Sequence, residues 1–152
     1  MNPEPAPDEA TRATRAGHLV EEFRALPATS DRRREIVAQL DGDCGNADVV
    51  AFLTALVADP QEYDLARTEA ATVLRLWPPA DPDLRHRAGR ALLAALNDPE
   101  EDLVRQYAAM ALGPYASDDP AVTEALIAAG GSEEDPLVQA CARSALEEAG
   151  LA

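Results

Sequence analysis

A chain of 152 residues that is 47% hydrophobic can form one domain with a continuous core. The formal net charge is −15, and residues 41–152 hold seven arginines against twenty-one carboxylates. The sequence therefore lacks the cationic surface that nucleic acids or anionic membranes require, and a basic protein is the natural electrostatic partner. Acidity that only keeps the protein dispersed in solution is the alternative.

Cysteine usage and the N-terminal sequence indicate the compartment. Cys44 and Cys141 are the only cysteines, and neither belongs to a C-x-x-C pair, which is typical of a reducing environment. The first residues show no basic region followed by an apolar run, and no stretch is apolar enough to span a bilayer. We therefore expect a cytoplasmic protein.

The predicted elements are all helices. Residues 1–7 are rich in proline and predict an extended lead before a single domain at 8–152. The first helix begins with a cap at Asp8 and ends near Leu26, because Pro27 cannot continue it. Apolar residues at helical spacing, together with glycine and proline breakers, predict seven more helices; these cover about 31–40, 48–58, 64–77, 83–96, 101–115, 120–129 and 135–149.

The acidic loop between the second and third helices raises the question of calcium binding. A calcium loop of the EF-hand type would have glycine where Asn46 stands and glutamate where Phe52 stands. An ordinary turn followed by a helix cap at Asp48 is the better interpretation.

Three of the predicted helices are copies of one pattern. Residues 102–113 read Asp-Leu-Val-Arg-Gln-Tyr-Ala-Ala-Met-Ala-Leu-Gly, and residues 64–74 and 136–146 are similar. Arg67 and Arg105 are 38 residues apart. Such a period predicts a helical repeat array, with eight helices in four antiparallel hairpins that stack around one core. The predicted buried positions in the three copies are Leu65, Ala66, Ala70, Val73, Leu74; Leu103, Val104, Ala108, Ala111, Leu112; and Leu137, Val138, Ala142, Ala145, Leu146.

Two arginines occupy equivalent positions in this repeat. Arg67 and Arg105 each follow an aspartate, Asp64 or Asp102, by three residues. We expect each aspartate and arginine to form a cap and ion pair that supports the contact between stacked repeats. Binding of an anion by the arginines is the alternative.

The pattern Asp-Leu-Val-Arg-x-x-Ala-Ala-x-Ala-Leu-Gly, after a helix that ends in Asn-Asp-Pro, resembles the HEAT-like repeat. The likeness is greatest to the bacterial subtype named after phycobilisome lyases, and it covers roughly residues 48–149, with 8–40 matching only weakly. The resemblance implies a right-handed, armadillo-like α-solenoid that contacts other proteins through a concave surface lined by the second helix of each pair. Candidate solvent-facing residues on that surface are Thr68, Thr72, Arg75, Gln106, Ala109, Met110, Arg143, Ser144 and Glu147.

The sequence does not predict a catalytic centre. His18 and His86 are the only histidines and lie on separate helices without a companion motif, and Cys141 has no histidine near it in the repeat. The glycine pair at 130–131 lacks the Lys-Ser/Thr of a phosphate-binding loop and is predicted to end the seventh helix. We expect no catalytic residues, no cofactor and no metal.

One apolar feature has two interpretations. Trp77 and Tyr115 end their helices at equivalent positions, next to Leu76 and Pro78-Pro79 in the first case. They form either an exposed apolar ridge or a contact that packs one repeat on the next.

These observations predict a non-catalytic scaffold that binds another protein on a concave, acidic-rimmed surface, without nucleic acid or membrane. An immunity or antitoxin protein that neutralises a basic toxin is a narrower alternative, suggested by size and charge. A lyase-like accessory or an enzyme acting on a small ligand is another, and a pocket lined by His86, Tyr107 or Cys141 would favour it. A third alternative is a subunit that contributes only its shape to a larger assembly. The sequence does not predict the oligomeric state.

Overall fold

The computed structural model describes residues 9–132 and 134–151. Within these ranges every regular element is helical, which confirms the all-α prediction. The predicted lead at residues 1–7 and the predicted cap Asp8 lie outside the described residues. The helices are α1 (Glu9–Ala25), α2 (Arg32–Gln39), α3 (Ala47–Ala58), α4 (Asp64–Leu76), α5 (Pro82–Leu96), α6 (Asp102–Ala111), α7 (Pro120–Ser132) and α8 (Pro136–Glu148), with short 3₁₀ helices at Asp41–Asp43 and Gly113–Asp118.

Three helix ends differ from the prediction. The cap of α3 is Asn46, whose side-chain oxygen accepts a hydrogen bond from the N–H of Asp48 at 2.9 Å. α6 is shorter than predicted because Pro114 has no N–H to donate and cannot continue an α-helix. α7 runs through both glycines that were expected to end it. A side chain at Gly130 would lie 3.2 Å from Cγ of Arg143, so this glycine permits the close approach of α7 and α8.

The helices pack as neighbouring pairs, α1 with α2, α3 with α4, α5 with α6 and α7 with α8. The second helices also contact one another in chain order, α2 with α4, α4 with α6 and α6 with α8, while α3 contacts α5. One hydrophobic core runs through these contacts. Its buried members include small alanines, which let helix backbones approach closely; they are Ala66, Ala70, Ala88, Ala95, Ala108 and Ala142.

The predicted core of the three repeated helices is confirmed at most positions. The exceptions are the first leucines of the second and third copies, because Leu103 and Leu137 are exposed while Val104 and Val138 are buried. Successive residues of an α-helix point about 100° apart, so the residue before each valine turns away from the partner helix. Leu65, in the first copy, is half-buried.

A buried arginine connects successive pairs. The Arg67 side chain is only 2% exposed, and its Nη1 donates to Asp98 Oδ2 at 2.9 Å. Its Nε and Nη2 donate to the carbonyl oxygen of Val57 at 3.2 and 3.0 Å. Because Asp98 also accepts a hydrogen bond from the N–H of Glu100, this arginine joins the end of α3 to the chain that leads into α6. The predicted pairing of Arg67 with Asp64 is wrong, because the guanidinium reaches Val57 at the end of α3 and Asp98 before α6.

The same contact occurs one pair earlier in the chain. Arg33, 34 residues before the arginine of α4, donates to Glu62 at 2.7 Å and to the carbonyl oxygen of Leu26 at 3.0 Å. Arg105 of α6 lies 3.7 Å from Asp102, as predicted. The two equivalent contacts of Arg33 and Arg67 place the beginnings of α4 and α6 at one edge of the molecule.

Contacts at the other ends of these helices show that they run in the same direction. Arg75, near the end of α4, donates to Met110 Sδ in α6 and to Glu148 in α8, both at 3.3 Å. The Tyr115 hydroxyl, just after α6, donates to the carbonyl oxygen of Leu74 at 2.6 Å. α4, α6 and α8 therefore begin at one edge and end at the opposite edge.

Candidate protein-binding surface

The predicted concave residues on α4 are engaged within the protein. Thr68 is only 5% exposed, and its hydroxyl donates to the carbonyl oxygen of Leu65 at 3.0 Å. Thr72 donates in the same way to the carbonyl oxygen of Thr68. Arg75 is held by the contacts with α6 and α8 described above. The prediction that Thr68 and Ala109 face solvent is wrong, because both residues are buried where α4 and α6 pack against neighbouring helices.

The remaining predicted contact residues lie on α6 and α8. Gln106 and Met110 are half-buried, whereas Arg143, Ser144 and Glu147 are exposed. Arg143 donates from Nε to the carbonyl oxygen of Gly130 at 2.8 Å, so its guanidinium also has a structural role. The binding role of these five residues stays a prediction.

Carboxylates gather at the edge where α4, α6 and α8 begin. The turns that precede these helices and the first residues of the helices carry exposed or half-buried acids on all three neighbours. Arg67 does not offset them at the surface, because its side chain is buried and pairs with Asp98, whereas Arg105 lies 3.7 Å from one of them, Asp102. We call this surface the acidic edge; its described members are Asp59, Asp64, Glu100, Glu101, Asp102, Glu134 and Asp135.

Part of the acidic edge is explained by the local backbone. Asp59 accepts from the N–H of Gln61, and Asp135 caps α8 by accepting from the N–H of Leu137. Asp98 accepts hydrogen bonds from the N–H groups of Glu100 and Glu101, in the turn that precedes α6. Burial opposes ionisation of Asp98, but hydrogen bonds from the Glu100 N–H and from Arg67 outweigh it and lower the pKa of this carboxyl. Glu100 itself is exposed, and the turn does not account for its charge.

Glu100 and Glu101 were not among the predicted contact residues. The available signal was the return of short acidic stretches after the third, fifth and seventh predicted helices. Because successive second helices begin at the same edge, stretches that are far apart in the chain become neighbours on the surface.

The opposite edge carries an exposed aromatic residue. Leu76 and Trp77, at the end of α4, are 62% and 54% exposed. Tyr115, at the equivalent position after α6, is 2% exposed. Trp77 is therefore exposed, as expected for an apolar ridge. Tyr115 is buried, as expected for a contact that packs one helix pair on the next. A cleft of about 380 Å³ lies beside the indole; we call it the tryptophan cleft, lined by Cys44, Gly45, Leu76, Trp77, Pro78, Pro79, Ala80, Asp81 and Leu84.

A second cleft, of about 330 Å³, lies next to it and contains His86. Its charged groups are paired, because Arg85 contacts Asp118 and Asp119 accepts from Arg90 at 2.9 Å. His86 Nδ1 lies 3.7 Å from Asp119, and its side chain is exposed. Tyr107 and Cys141, the other residues considered for a ligand pocket, do not line this cleft.

The cysteines are poor nucleophiles. Burial, together with the nearby carboxylates of Asp41 and Asp43, raises the pKa of the Cys44 thiol to about 11. Burial also raises the pKa of Cys141. Since the thiolate is the reactive form, both residues are protonated at neutral pH. Across the described ranges, no group of His, Cys, Asp and Glu side chains is placed to hold a metal ion.

Comparison with protein-family models, with curated proteins and with solved structures finds no match to this chain. No helix in the part of the chain that the structure describes combines the length and the apolar character needed to cross a membrane. The surface itself therefore indicates the function: the charged groups of the His86 cleft are paired, and exposed or half-buried carboxylates line one edge.

Proposed function

We propose that this chain is a HEAT-like α-solenoid and that it binds a basic protein without chemical change. The repeated arginine contacts of Arg33 and Arg67, 34 residues apart, support the repeat assignment. The parallel course of α4, α6 and α8 supports a stacked array. The right hand of the superhelix and the concave shape follow from the resemblance of the sequence.

The observation that carries the proposed function is the acidic edge. Seven exposed or half-buried carboxylates line the beginnings of three neighbouring helices, while Arg67 is buried beneath them. Such a surface attracts a positively charged partner from a distance and speeds its association, with an effect that weakens as salt is added. Protonated thiols and paired charges in the clefts argue against a reaction at this protein.

The test is affinity capture from the native host with the full chain as bait. The variant carries Glu100→Gln, Glu101→Gln and Asp102→Asn, which removes three charges from the acidic edge and leaves Asp98, the partner of Arg67, in place. We expect the wild-type protein to retain one basic partner at low salt and the variant to lose it. The identity of that partner then decides whether the binding is toxin neutralisation.

The matched control removes three carboxylates elsewhere. Glu21→Gln, Glu35→Gln and Glu124→Gln change exposed positions on α1, α2 and α7 and shift the net charge by the same amount. This variant should retain the partner. Equal loss in both variants would show that only net charge matters, and recovery of no basic protein by the wild type would refute the proposal.

A further inference from the structure

We infer that the tryptophan cleft is a docking site for a short apolar segment of a partner protein that also carries arginine or lysine. The site is separate from the acidic edge, because Trp77 follows the end of α4 whereas the acidic edge lies at its beginning. α4 has 13 residues, which separates the two sites by about 20 Å at 1.5 Å per residue.

The chain holds Trp77 at the surface by its backbone. The N–H of Trp77 donates to the carbonyl oxygen of Val73 at 2.9 Å, which closes the last turn of α4. Pro78 and Pro79 then prevent the helix from continuing, and Pro79 is buried. The indole therefore stands at a rigid corner beside Leu76, which is also exposed. Because the backbone at Trp77 is already held, only side-chain freedom is lost when a partner binds.

The cleft beside the indole is apolar with an acidic border. Cys44, Leu84 and Pro78 are half-buried and form apolar walls. Because the Cys44 thiol is protonated at neutral pH, it adds no charge to these walls. An apolar side chain entering here would cover Leu76 and Trp77, whose exposure to water is unfavourable.

The charges around the cleft indicate the charge of the partner. Asp81 lines it and is exposed, and Asp41, near Cys44, is exposed as well. Asp43 is already neutralised, because its buried carboxylate accepts from Arg15 at 3.2 Å. Among the described residues that line the cleft none is basic. Asp81 caps α5 through Oδ1 but is exposed, and Asp41 lies near the Cys44 wall, so both carboxylates favour a cation by Coulomb attraction. The face of the exposed indole attracts a cation as well.

Trp77 is the only tryptophan, so its fluorescence reports on this cleft alone. The probe is a short peptide of alternating arginine and leucine, added to the full chain. We expect the emission to shift to shorter wavelength and to saturate, because leucine displaces water from the indole. Peptides with glutamate in place of arginine, or serine in place of leucine, should leave the emission unchanged.

Three variants locate the site. Trp77→Ala should weaken peptide binding about thirtyfold by calorimetry, as truncation of an anchoring tryptophan does. Asp81→Asn keeps a residue that can cap α5 but removes the charge, and should weaken binding about two- to fivefold. Asp102→Asn, the same change at the acidic edge, should have no effect on the fluorescence titration.

The outcomes separate this inference from the proposed function. The triple variant of the acidic edge should keep the fluorescence response even where it loses its captured partner. An unchanged emission at saturating peptide, or equal binding by wild type and Trp77→Ala, would overturn the inference. So would sedimentation as a dimer that Trp77→Ala disrupts, since the occupant would then be a second copy of this chain.

Discussion

Replacing Asp98 with asparagine tests the contact that connects successive helix pairs. Asparagine can still accept the hydrogen bonds from the N–H groups of Glu100 and Glu101, but Arg67 then keeps a buried charge with only the carbonyl oxygen of Val57 as a partner. Loss of one partner of a buried ion pair costs about 3–5 kcal/mol, a large part of a typical stability of about 5–15 kcal/mol. For a chain of this length we expect the unfolding temperature to fall by about 10 °C.

Urea unfolding followed by circular dichroism measures this loss, with Asp83→Asn as the control. Asp83 pairs with Arg87, and both side chains are about two-thirds exposed, so breaking this pair should cost less than about 1 kcal/mol. The double variant Arg67→Met, Asp98→Asn should recover much of the loss, because no charge stays buried. Equal stability of Asp98→Asn and Asp83→Asn would refute the reasoning.

The same pair predicts a dependence on pH. The pKa of Asp98 is lowered in the folded protein. Its ionised carboxylate therefore adds to the free energy of unfolding at any pH above the pKa of the unfolded chain, about 3.9. This contribution to the free energy of unfolding is lost as the pH falls through the pKa of Asp98 in the folded protein. The stability difference between wild type and Asp98→Asn should therefore be constant near neutral pH and shrink in acid. A difference that grows on acidification would contradict this assignment.

Three further predictions concern single positions. Tyr115→Phe removes the hydrogen bond to Leu74 and should cost about 1–2 kcal/mol in urea unfolding; an unchanged midpoint would contradict a structural role for the hydroxyl. Gly17→Ala, at an exposed position of α1 with open space around it, should stabilise by about 0.5–1 kcal/mol, and destabilisation would contradict the helix described there. In a Cys141→Ser background, the rate of Cys44 alkylation should rise about tenfold per pH unit until the pH approaches 11, whereas a plateau near pH 8.5 would contradict the raised pKa.

The two proposed sites differ from the surface that the repeat pattern suggested. The resemblance to HEAT-like repeats implied an open concave face with Thr68, Thr72 and Arg75, but their polar groups are bound to the backbone or to neighbouring helices. Polar groups that already form hydrogen bonds within the protein are less available to bind another molecule. Trp77 and Glu100, in contrast, are exposed. We therefore propose contacts at the ends of the helices rather than along their middle.

The sequence by itself determined the helices and most of the core. Apolar residues at helical spacing and proline breakers act locally, so they predicted eight helices and buried positions such as Val104 and Val138. The recurrence of arginine at equivalent positions marked a contact between helix pairs, since Arg67 reaches both Val57 and Asp98.

Only the tertiary structure decided which groups meet. The partner of Arg67 is Asp98, 31 residues away, and not the nearby Asp64, because the packing of α4 on α6 brings the Asp98 turn over the guanidinium. Trp77 and Tyr115 occupy equivalent positions, yet only Tyr115 is buried. The 3₁₀ helix after α6 folds Tyr115 back towards α4 and onto Gly89, which has no side chain to block it, whereas two prolines lead the chain away from Trp77. Such outcomes depend on the relative placement of whole helices, which no local pattern contains.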